Sequence, residues 1–263
     1  MLRLILILLV VGSFFLPTSS KKTPVLTNSA FDKSSNLLLA ASPKRKKVIE
    51  RIQTSTVSIE VELSEGEFSS IIGTGVYLLD KNFGHVILTA EHVSLASLKG
   101  KIKFCSIVSE DCITMSNRPF LEADTGNLAS DWAIYLIDKP PKGMNPAVTD
   151  NESVDLGESV WLIGHQRGMQ SWISHGNIAS IYEHSEEKNY VLYGVHSFAA
   201  PGFSGGGVFT SKGQLIGITV AIHVDSKTGA PQGGSALVVP LGNISLLKLS
   251  LPAPTGKKLE NDQ

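Results

Sequence analysis

Cysteine, net charge and long apolar segments are all scarce in this sequence. It has two cysteines, Cys105 and Cys112, and no second pair of Cys or His residues at the spacing of a structural zinc site, so we predict no bound metal. Its 23 basic and 24 acidic residues give a formal net charge of −1, which does not indicate nucleic-acid binding. A hydrophobic content of 42% with 18% charged residues is ordinary for a folded domain.

An apolar segment at the start of the chain is too short to span a bilayer as a helix. Leu4–Leu16 has 13 residues, against the ~20 that such a helix needs. Arg3 precedes it and the small residues of Pro17–Ser20 follow, which is the order of a secretory signal peptide. We expect residues 1–20 to be cleaved after Ser20 and the mature chain to be periplasmic or secreted. If the segment stays uncleaved, it is a signal anchor that tethers the chain to the membrane through residues 4–16.

Polar segments lie on both sides of the main domain. Residues 21–43 are rich in Ser, Thr, Asn and Lys and are predicted to form a linker. The basic run Lys44–Lys47 is interpreted as the solvated start of a short helix ending near Ile52, in preference to a nuclear signal or an anionic-membrane patch. Residues 44–250 are predicted to be the folded domain and residues 251–263 a polar tail.

Short apolar runs separated by turns predict an all-β domain. Residues 57–63 alternate between apolar and polar side chains, as in a half-buried strand. Two groups of about six such runs favour two six-stranded antiparallel barrels, followed by a short terminal helix at 244–249. The further strands are expected at 71–79, 85–89, 101–107, 131–137, 160–163, 173–182, 190–195, 207–210, 215–222 and 236–239.

Three stretches carry residues that act together in hydrolases. Ser204 lies in the glycine-rich run Ala200–Gly207. His92 follows one predicted strand and Asp131 begins another; the two are 39 positions apart, and Ser204 is 73 positions beyond Asp131. The order His, Asp, Ser is that of the chymotrypsin-type triad, and not of the subtilisin or α/β-hydrolase types.

The chemistry of acyl transfer explains these residue types. A serine hydroxyl is a weak nucleophile, so Ser204 needs a base that takes its proton and returns it to the leaving group, and His92 can do both. A carboxylate, Asp131, is needed to fix the imidazole tautomer. The oxyanion requires two converging backbone N–H donors, which we assign to Gly202 and Ser204 because glycine permits the crowded turn.

These stretches resemble the trypsin-like peptidase superfamily, and most of all the protease domain of the bacterial HtrA (Deg) family. The resemblance covers roughly residues 45–250 and leaves no room for the PDZ domain that fuller HtrA proteins carry. It implies two barrels with the active site between them, and no metal or organic cofactor. The matching blocks are Thr89–Val93, Asp131–Ile134 with Ile137–Asp138, Gly202–Gly206, and the weaker Gly73–Val76, Ser174–Ser180 and Leu215–Thr219.

Phe203 departs from the family pattern. HtrA proteins have Asn at this place, and digestive enzymes have an aspartate that receives a newly cleaved amino terminus. Without a carboxylate that switch cannot operate here. We expect the phenyl ring to pack into the second barrel and brace the oxyanion turn; the alternative is that it distorts the turn.

The resemblance also places the primary substrate pocket. Its lining residues would be Phe198, Ala199, Thr219, Val220 and Ala221. They include no carboxylate, which argues against selection of Arg or Lys, and Thr219 stands where glutamate-selective members carry a histidine. The small apolar lining predicts a modest aliphatic residue before the scissile bond.

The sequence therefore predicts an exported serine endopeptidase that acts on protein or peptide substrates. One alternative is a pseudoprotease that binds peptide without cleaving it, for which Phe203 is the supporting feature. Another is an esterase-like hydrolase on the same triad. The residues do not indicate an oligomeric state.

Cys105 and Cys112 are seven residues apart. In an exported protein they can form a disulfide that closes a short hairpin or loop. Two reduced thiols are the alternative.

Overall fold

The computed structural model describes residues 43–69, 72–95, 100–122, 128–149, 154–166, 171–184, 190–224 and 231–244. The expected signal peptide, nearly all of the linker and the polar tail lie outside these residues, as does the expected terminal helix apart from Ile244. Within the described part of the chain, no helix has both the length and the apolar character needed to cross a membrane.

The short basic helix expected from the sequence is present as α1, Pro43–Thr54. Proline suits the first helical position because the N–H that it lacks would be unpaired there. Ile52 is fully buried in the core, whereas residues 44–47 are exposed. The guanidinium of Arg51 donates to the Lys212 carbonyl at 3.2 Å, which fastens the helix to the second half of the domain.

The first half of the domain is a curled, open antiparallel sheet. The strands are β1 Thr56–Ser64, β2 Glu67–Phe68, β3 Gly73–Asp80, β4 Gly84–Thr89, β5 Lys101–Ser106, β6 Cys112–Ser116, β7 Leu121–Glu122 and β8 Ala133–Leu136. Their order in the sheet is β6-β5-β1-β3-β4-β8-β7, with β2 paired to β1.

The second half is a closed barrel of six antiparallel strands. Their order around the barrel is β10-β11-β14-β13-β12-β9. The strands are β9 Ser159–His165, β10 Ser171–His184, β11 Tyr190–His196, β12 Gly207–Thr210, β13 Leu215–Val224 and β14 Pro231–Pro240. Closure leaves no unpaired edge strand, which an open sheet always has.

The expected all-β fold of two barrels is confirmed, with a closed six-stranded barrel in the second half and a curled half-barrel sheet in the first. Among the described residues, the edge strands β6 and β7 do not pair with each other. Leu121 and Glu122 of β7 both pair with β8. The described strands of the first half thus form one curled sheet of eight strands.

One apolar core joins the two halves. It contains residues of the first sheet, such as Tyr77 and Leu88, together with Trp161, Phe209 and Val220 of the second barrel. A second cluster fills the interior of the barrel itself. Leu88 and Ala90, around the end of β4 before His92, belong to the shared core. Ala200 and Phe203, which precede Ser204, belong to the second cluster.

Candidate active site

His92 lies in the one-turn helix α2, Glu91–Leu95, which directly follows β4. A buried hydrogen-bond chain supports this helix from below. The Tyr135 hydroxyl donates to Asn117 Oδ1 at 2.6 Å, and Asn117 Nδ2 donates to the Ser94 carbonyl at 2.8 Å. Burial raises the pKa of the Tyr135 phenol far above its usual value, so the donor stays protonated. These two hydrogen bonds therefore connect α2 to Tyr135 of the first sheet.

Asp131 follows a short 3-10 helix, Leu128–Ser130, and its N–H donates to the Leu128 carbonyl at 3.3 Å. Asn243 reaches this helix from the second barrel, because its side-chain amide donates to the Ala129 carbonyl at 3.2 Å and to the Val191 carbonyl at 2.7 Å. The segment before Asp131 is therefore held to both halves of the domain.

Both carboxylate oxygens of Asp131 bind His92. Oδ2 is 2.7 Å from His92 Nδ1, and Oδ1 accepts the backbone N–H of the same residue at 3.0 Å. An ionised carboxylate can only accept, so Nδ1 carries the hydrogen, and in the neutral imidazole the lone pair then lies on Nε2. The Asp131 side chain is 13% exposed and that of His92 is 36% exposed. Asp131 thus holds His92 in one tautomer, and the partly exposed imidazole can act as a base.

Ser204 follows a tight turn at the entrance to β12. The Phe203 N–H donates to the Ala200 carbonyl at 2.9 Å, and Gly202 has a φ of +103°. Proline at the second position and a positive-φ glycine at the third are the pattern of a type II turn. After the serine, Gly205 donates its N–H to the Thr219 carbonyl at 2.7 Å.

The N–H groups of Gly202 and Ser204 have no hydrogen-bond acceptor among the described residues. Gly202 is nevertheless buried. Buried backbone donors are rarely left unpaired in proteins, and when they are, a ligand or ordered water usually completes them. Two such donors beside one hydroxyl can stabilise a negatively charged oxygen.

Close backbone approaches bring the serine turn to α2. A side chain at Gly205 would collide with Thr89 Oγ1 and with the Thr74 carbonyl, and would come within 2.8 Å of the Ala90 nitrogen. A Cβ at Gly73 would lie 2.6 Å from the Val93 side chain and 3.3 Å from the Ser204 carbonyl. The segment around His92 therefore lies close to the segment around Ser204. No hydrogen bond joins Ser204 Oγ to His92 within the described residues, and such bonds are often long in the absence of substrate.

Phe203 is fully buried in the cluster that fills the second barrel, as expected from the sequence. Its ring lies over Gly164 of β9, and its centroid is 5.9 Å from that of Phe198 in a nearly perpendicular arrangement. The side chain thus points away from solvent and packs under the turn.

The expected pocket residues lie on both sides of the serine turn. Phe198 is 42% exposed and stacks on Trp172 of β10, with centroids 5.5 Å apart. Thr219 pairs through its backbone with Gly205 and Gly206, and its buried hydroxyl has no partner among the described residues.

The other three expected pocket residues expose less surface. Ala199 is buried beside Phe198, and Ala221 is half-buried on β13. The Val220 side chain packs into the core shared by the two halves.

Two residues near the turn were not identified from the sequence. Thr74 of β3 is fully buried and donates its hydroxyl to the Gly202 carbonyl at 2.7 Å. His165 ends β9 and is 4% exposed; burial lowers its pKa from 6.5 to about 4. The Gly-Thr-Gly run at residues 73–75 could have pointed to Thr74. Nothing in the sequence distinguishes His165 from the other six histidines.

Cys105 and Cys112 are joined by a disulfide. They are directly opposite in the β5–β6 pair, with Cα atoms 4.1 Å apart, so the bridge closes this hairpin. Among the described residues, no three His, Cys, Asp or Glu side chains come together as metal ligands do.

Comparison with known proteins agrees with this fold. The solved structures with a similar fold include the HtrA-type protease AlgW with a tripeptide, at 19% identity and a TM-score of 0.56, covering 79% of this chain and 62% of that one. They also include the inactive form of the Rv3671c protease from M. tuberculosis H37Rv, at 17% identity and a TM-score of 0.54, covering 80% of this chain and 94% of that one. This chain thus spans less than two thirds of the length of AlgW.

No curated protein matches the sequence. Residues 73–218 match the family described as the trypsin-like peptidase domain. This match covers more than half of the chain and contains all three of His92, Asp131 and Ser204. The chain is therefore a member of the trypsin-like peptidase domain family.

Proposed function

We propose that this chain is a serine endopeptidase in which Ser204, His92 and Asp131 form the catalytic triad. The observation that carries the proposal is the two-point contact between the Asp131 carboxylate and His92, with distances of 2.7 and 3.0 Å. The contact leaves Nε2 available as a base. The neighbouring serine turn has two N–H groups without a hydrogen-bond partner among the described residues. This combination is what acyl transfer through a serine requires.

The reaction follows from these roles. Ser204 Oγ attacks the scissile carbonyl while His92 Nε2 takes its proton, and Asp131 stabilises the resulting imidazolium. The N–H groups of Gly202 and Ser204 donate to the oxyanion of the tetrahedral intermediate. His92 then gives the proton to the leaving amine as the C–N bond breaks, which leaves the acyl group on Ser204. In the second half of the reaction His92 takes a proton from water, the water oxygen attacks the acyl carbonyl, and Ser204 Oγ leaves with that proton.

Peptide bonds are the substrate that the comparisons favour. AlgW is known with a tripeptide and with a decapeptide. We infer that this chain also cleaves proteins or peptides. The exposed Phe198 and the buried Thr219 are proposed to contact the residue before the scissile bond, together with Ala199, Val220 and Ala221. A small aliphatic residue suits this apolar lining.

Export is proposed from the first twenty residues and is supported by the disulfide. Disulfides persist in oxidising compartments and are rare in the cytosol. We therefore infer a periplasmic or secreted enzyme. Amino-terminal sequencing of protein from expressing cells is expected to begin near Lys21, whereas Met1 retained in a membrane fraction would establish the signal-anchor alternative.

A fluorophosphonate probe tests the catalytic assignment directly, because it labels only an activated serine. Wild-type protein is expected to be labelled and to digest casein in the presence of a chelator, and Ser204→Ala to do neither. Equal digestion by both proteins would refute the triad. A folded wild type that binds peptide but is neither labelled nor active would identify the pseudoprotease.

A further inference from the structure

Thr74 of the first sheet uses every one of its polar atoms at the serine turn or next to α2. Its hydroxyl donates to the Gly202 carbonyl at 2.7 Å and accepts the His165 N–H at 3.0 Å. Its backbone N–H donates to the Ser204 carbonyl at 2.8 Å, and its carbonyl accepts the Thr89 hydroxyl at 2.7 Å. The residue is fully buried, so water does not compete for these bonds.

These bonds fix one peptide plane within the turn. The Gly202 carbonyl and the Phe203 N–H belong to the same planar peptide. The carbonyl is held by Thr74 and the N–H by the Ala200 carbonyl at 2.9 Å. This peptide lies between the two N–H groups proposed as oxyanion donors, those of Gly202 and Ser204. Fixing its plane restricts the direction of both.

The turn needs such a restraint because glycine has little conformational preference of its own. Gly202 has a φ of +103°, a value that glycine reaches as readily as negative ones. A rotation at this residue would redirect its N–H without breaking any covalent constraint. The Thr74 hydroxyl comes from the other half of the domain, so the restraint exists only when the two halves are packed.

The hydroxyl is also suited to this double role. It has one hydrogen to donate and lone pairs to accept with, and it uses one of each, towards Gly202 and His165. A valine has the same shape but would leave both buried backbone groups unpaired. A serine keeps the hydroxyl and loses only a methyl group.

We propose that Thr74 is a positioning residue for the oxyanion turn, whose side-chain hydroxyl aims the Gly202 and Ser204 N–H groups for catalysis. The inference rests on the proposed function, and it adds a requirement that the triad alone does not contain. The enzyme would depend on a hydroxyl that contacts neither substrate nor the triad side chains.

The test compares Thr74→Val and Thr74→Ser with a matched control, Thr56→Val. Thr56 is another fully buried threonine of the first sheet, and its hydroxyl makes one hydrogen bond, to the Ile52 carbonyl at 2.8 Å. Steady-state kinetics on a peptide substrate give kcat and KM. Two inhibition constants are measured beside them, for a peptide aldehyde that forms a tetrahedral adduct on the serine and for the corresponding product peptide.

Thr74→Val is expected to lower kcat about 10- to 100-fold, less than the 10²–10³ lost with an oxyanion donor itself, because the donors remain but are no longer aimed. Its KM and its affinity for the product peptide should stay within about twofold of wild type, since only the transition state uses the turn. Aldehyde binding should weaken by the same factor as kcat. Thr74→Ser should recover most of the loss, and Thr56→Val should keep the wild-type kcat.

Amide hydrogen exchange gives a readout that does not need activity. The Phe203 N–H should exchange faster in Thr74→Val than in wild type or Thr74→Ser. Thr74→Ala, which places no methyl group against the Gly202 carbonyl, replaces the valine variant if that variant does not fold. An unchanged kcat and unchanged Phe203 exchange in Thr74→Val would overturn the inference, and so would equal kcat losses in Thr74→Val and Thr56→Val.

The same experiment separates this inference from the proposed function. If wild type is no more active than Ser204→Ala, the proposed function fails, and the exchange data alone decide whether Thr74 holds the turn. If wild type is active and Thr74→Val matches it, the function stands and the positioning role is refuted.

Discussion

The phenyl ring of Phe203 occupies the space that a side chain at Gly164 would need. A Cβ at Gly164 would lie 2.5 Å from Phe203 Cγ and 2.7 Å from Phe203 Cα. Gly164 is in β9, and Phe203 directly precedes Ser204. Because Gly164 has no side chain, β9 can pack directly against Phe203, the residue before the proposed nucleophile Ser204.

Gly164→Ala is expected to displace the serine turn and to lower both stability and turnover. One of the colliding atoms is a backbone carbon, which cannot rotate away, and overpacking of this kind costs about 1–3 kcal/mol. Gly242→Ala is the matched control, because no atom lies within 4 Å of a Cβ there. Thermal unfolding and peptide hydrolysis are measured for both. Equal behaviour of the two variants would contradict the role of Gly164.

Phe203→Asn is expected to fold less stably and to retain a turnover similar to that of wild type. Removing a fully buried phenyl ring costs about 3 kcal/mol or more, and the new amide is buried without an assigned partner. The turn keeps its backbone bonds to Ala200 and Thr74. Phe203→Leu, a smaller change, is the control and should cost less. Denaturant unfolding and kcat are measured together; a large gain in kcat for Phe203→Asn would show that the ring distorts the turn.

Asp131→Asn is expected to lower kcat by about 10⁴ with little effect on folding, because an amide can no longer hold His92 in the tautomer that leaves Nε2 free. Asp138→Asn is the control, since Asp138 is exposed and lies a few residues further along the same segment. Initial rates on one peptide substrate measure the effect. A similar rate for Asp131→Asn and Asp138→Asn would remove Asp131 from the triad.

His165 is expected to make the protein less stable in mild acid. Burial lowers its pKa from 6.5 to about 4 in the folded state. His165 is therefore protonated below about pH 6.5 in the unfolded chain, but only below about pH 4 in the folded protein. The contribution of His165 to the free energy of unfolding is fully present above pH 6.5, and it falls by roughly 3 kcal/mol as the pH approaches 4.

The free energy of unfolding, measured by denaturant titration between pH 7.5 and 4, checks this expectation. His165→Asn should flatten the acid side of the curve, whereas a substitution of the exposed His196 should not. If wild type and His165→Asn lose stability in parallel, His165 is not the group responsible.

Reduction of the Cys105–Cys112 disulfide is expected to lower the free energy of unfolding by about 2–3 kcal/mol, the loop-closure term for a short loop. Neither cysteine should react with iodoacetamide until a reductant is added. Mass spectrometry before and after reduction, with denaturant unfolding in both states, measures the two effects. Two alkylated cysteines in unreduced, freshly purified protein would exclude the bridge.

Local patterns in the sequence were sufficient to locate most strands. Residues 57–63 alternate and lie within β1, and Gly207–Thr210 is a strand with those bounds. Strand β6, Cys112–Ser116, was not predicted, because its five residues show no apolar run of their own. It is a strand because β5 pairs with it along its whole length.

The closure of the sheets could not be inferred from local patterns. The alternation of side chains predicts which face of a strand is buried. Which edge strands meet depends on how strongly the whole sheet twists and curls. The second half closes through β9 and β10, whereas among the described residues the first half remains open between β6 and β7.

The sequence by itself determined the residue types, their order and their local backbone geometry. The order of His92, Asp131 and Ser204, and the glycines that make a tight turn, are properties of short segments and were accessible without a fold. The tertiary structure alone decided the contacts of Thr74. Its bonds to Gly202 and His165 join residues 128 and 91 positions apart. Such bonds form only when packing of the two halves brings these residues together and excludes water.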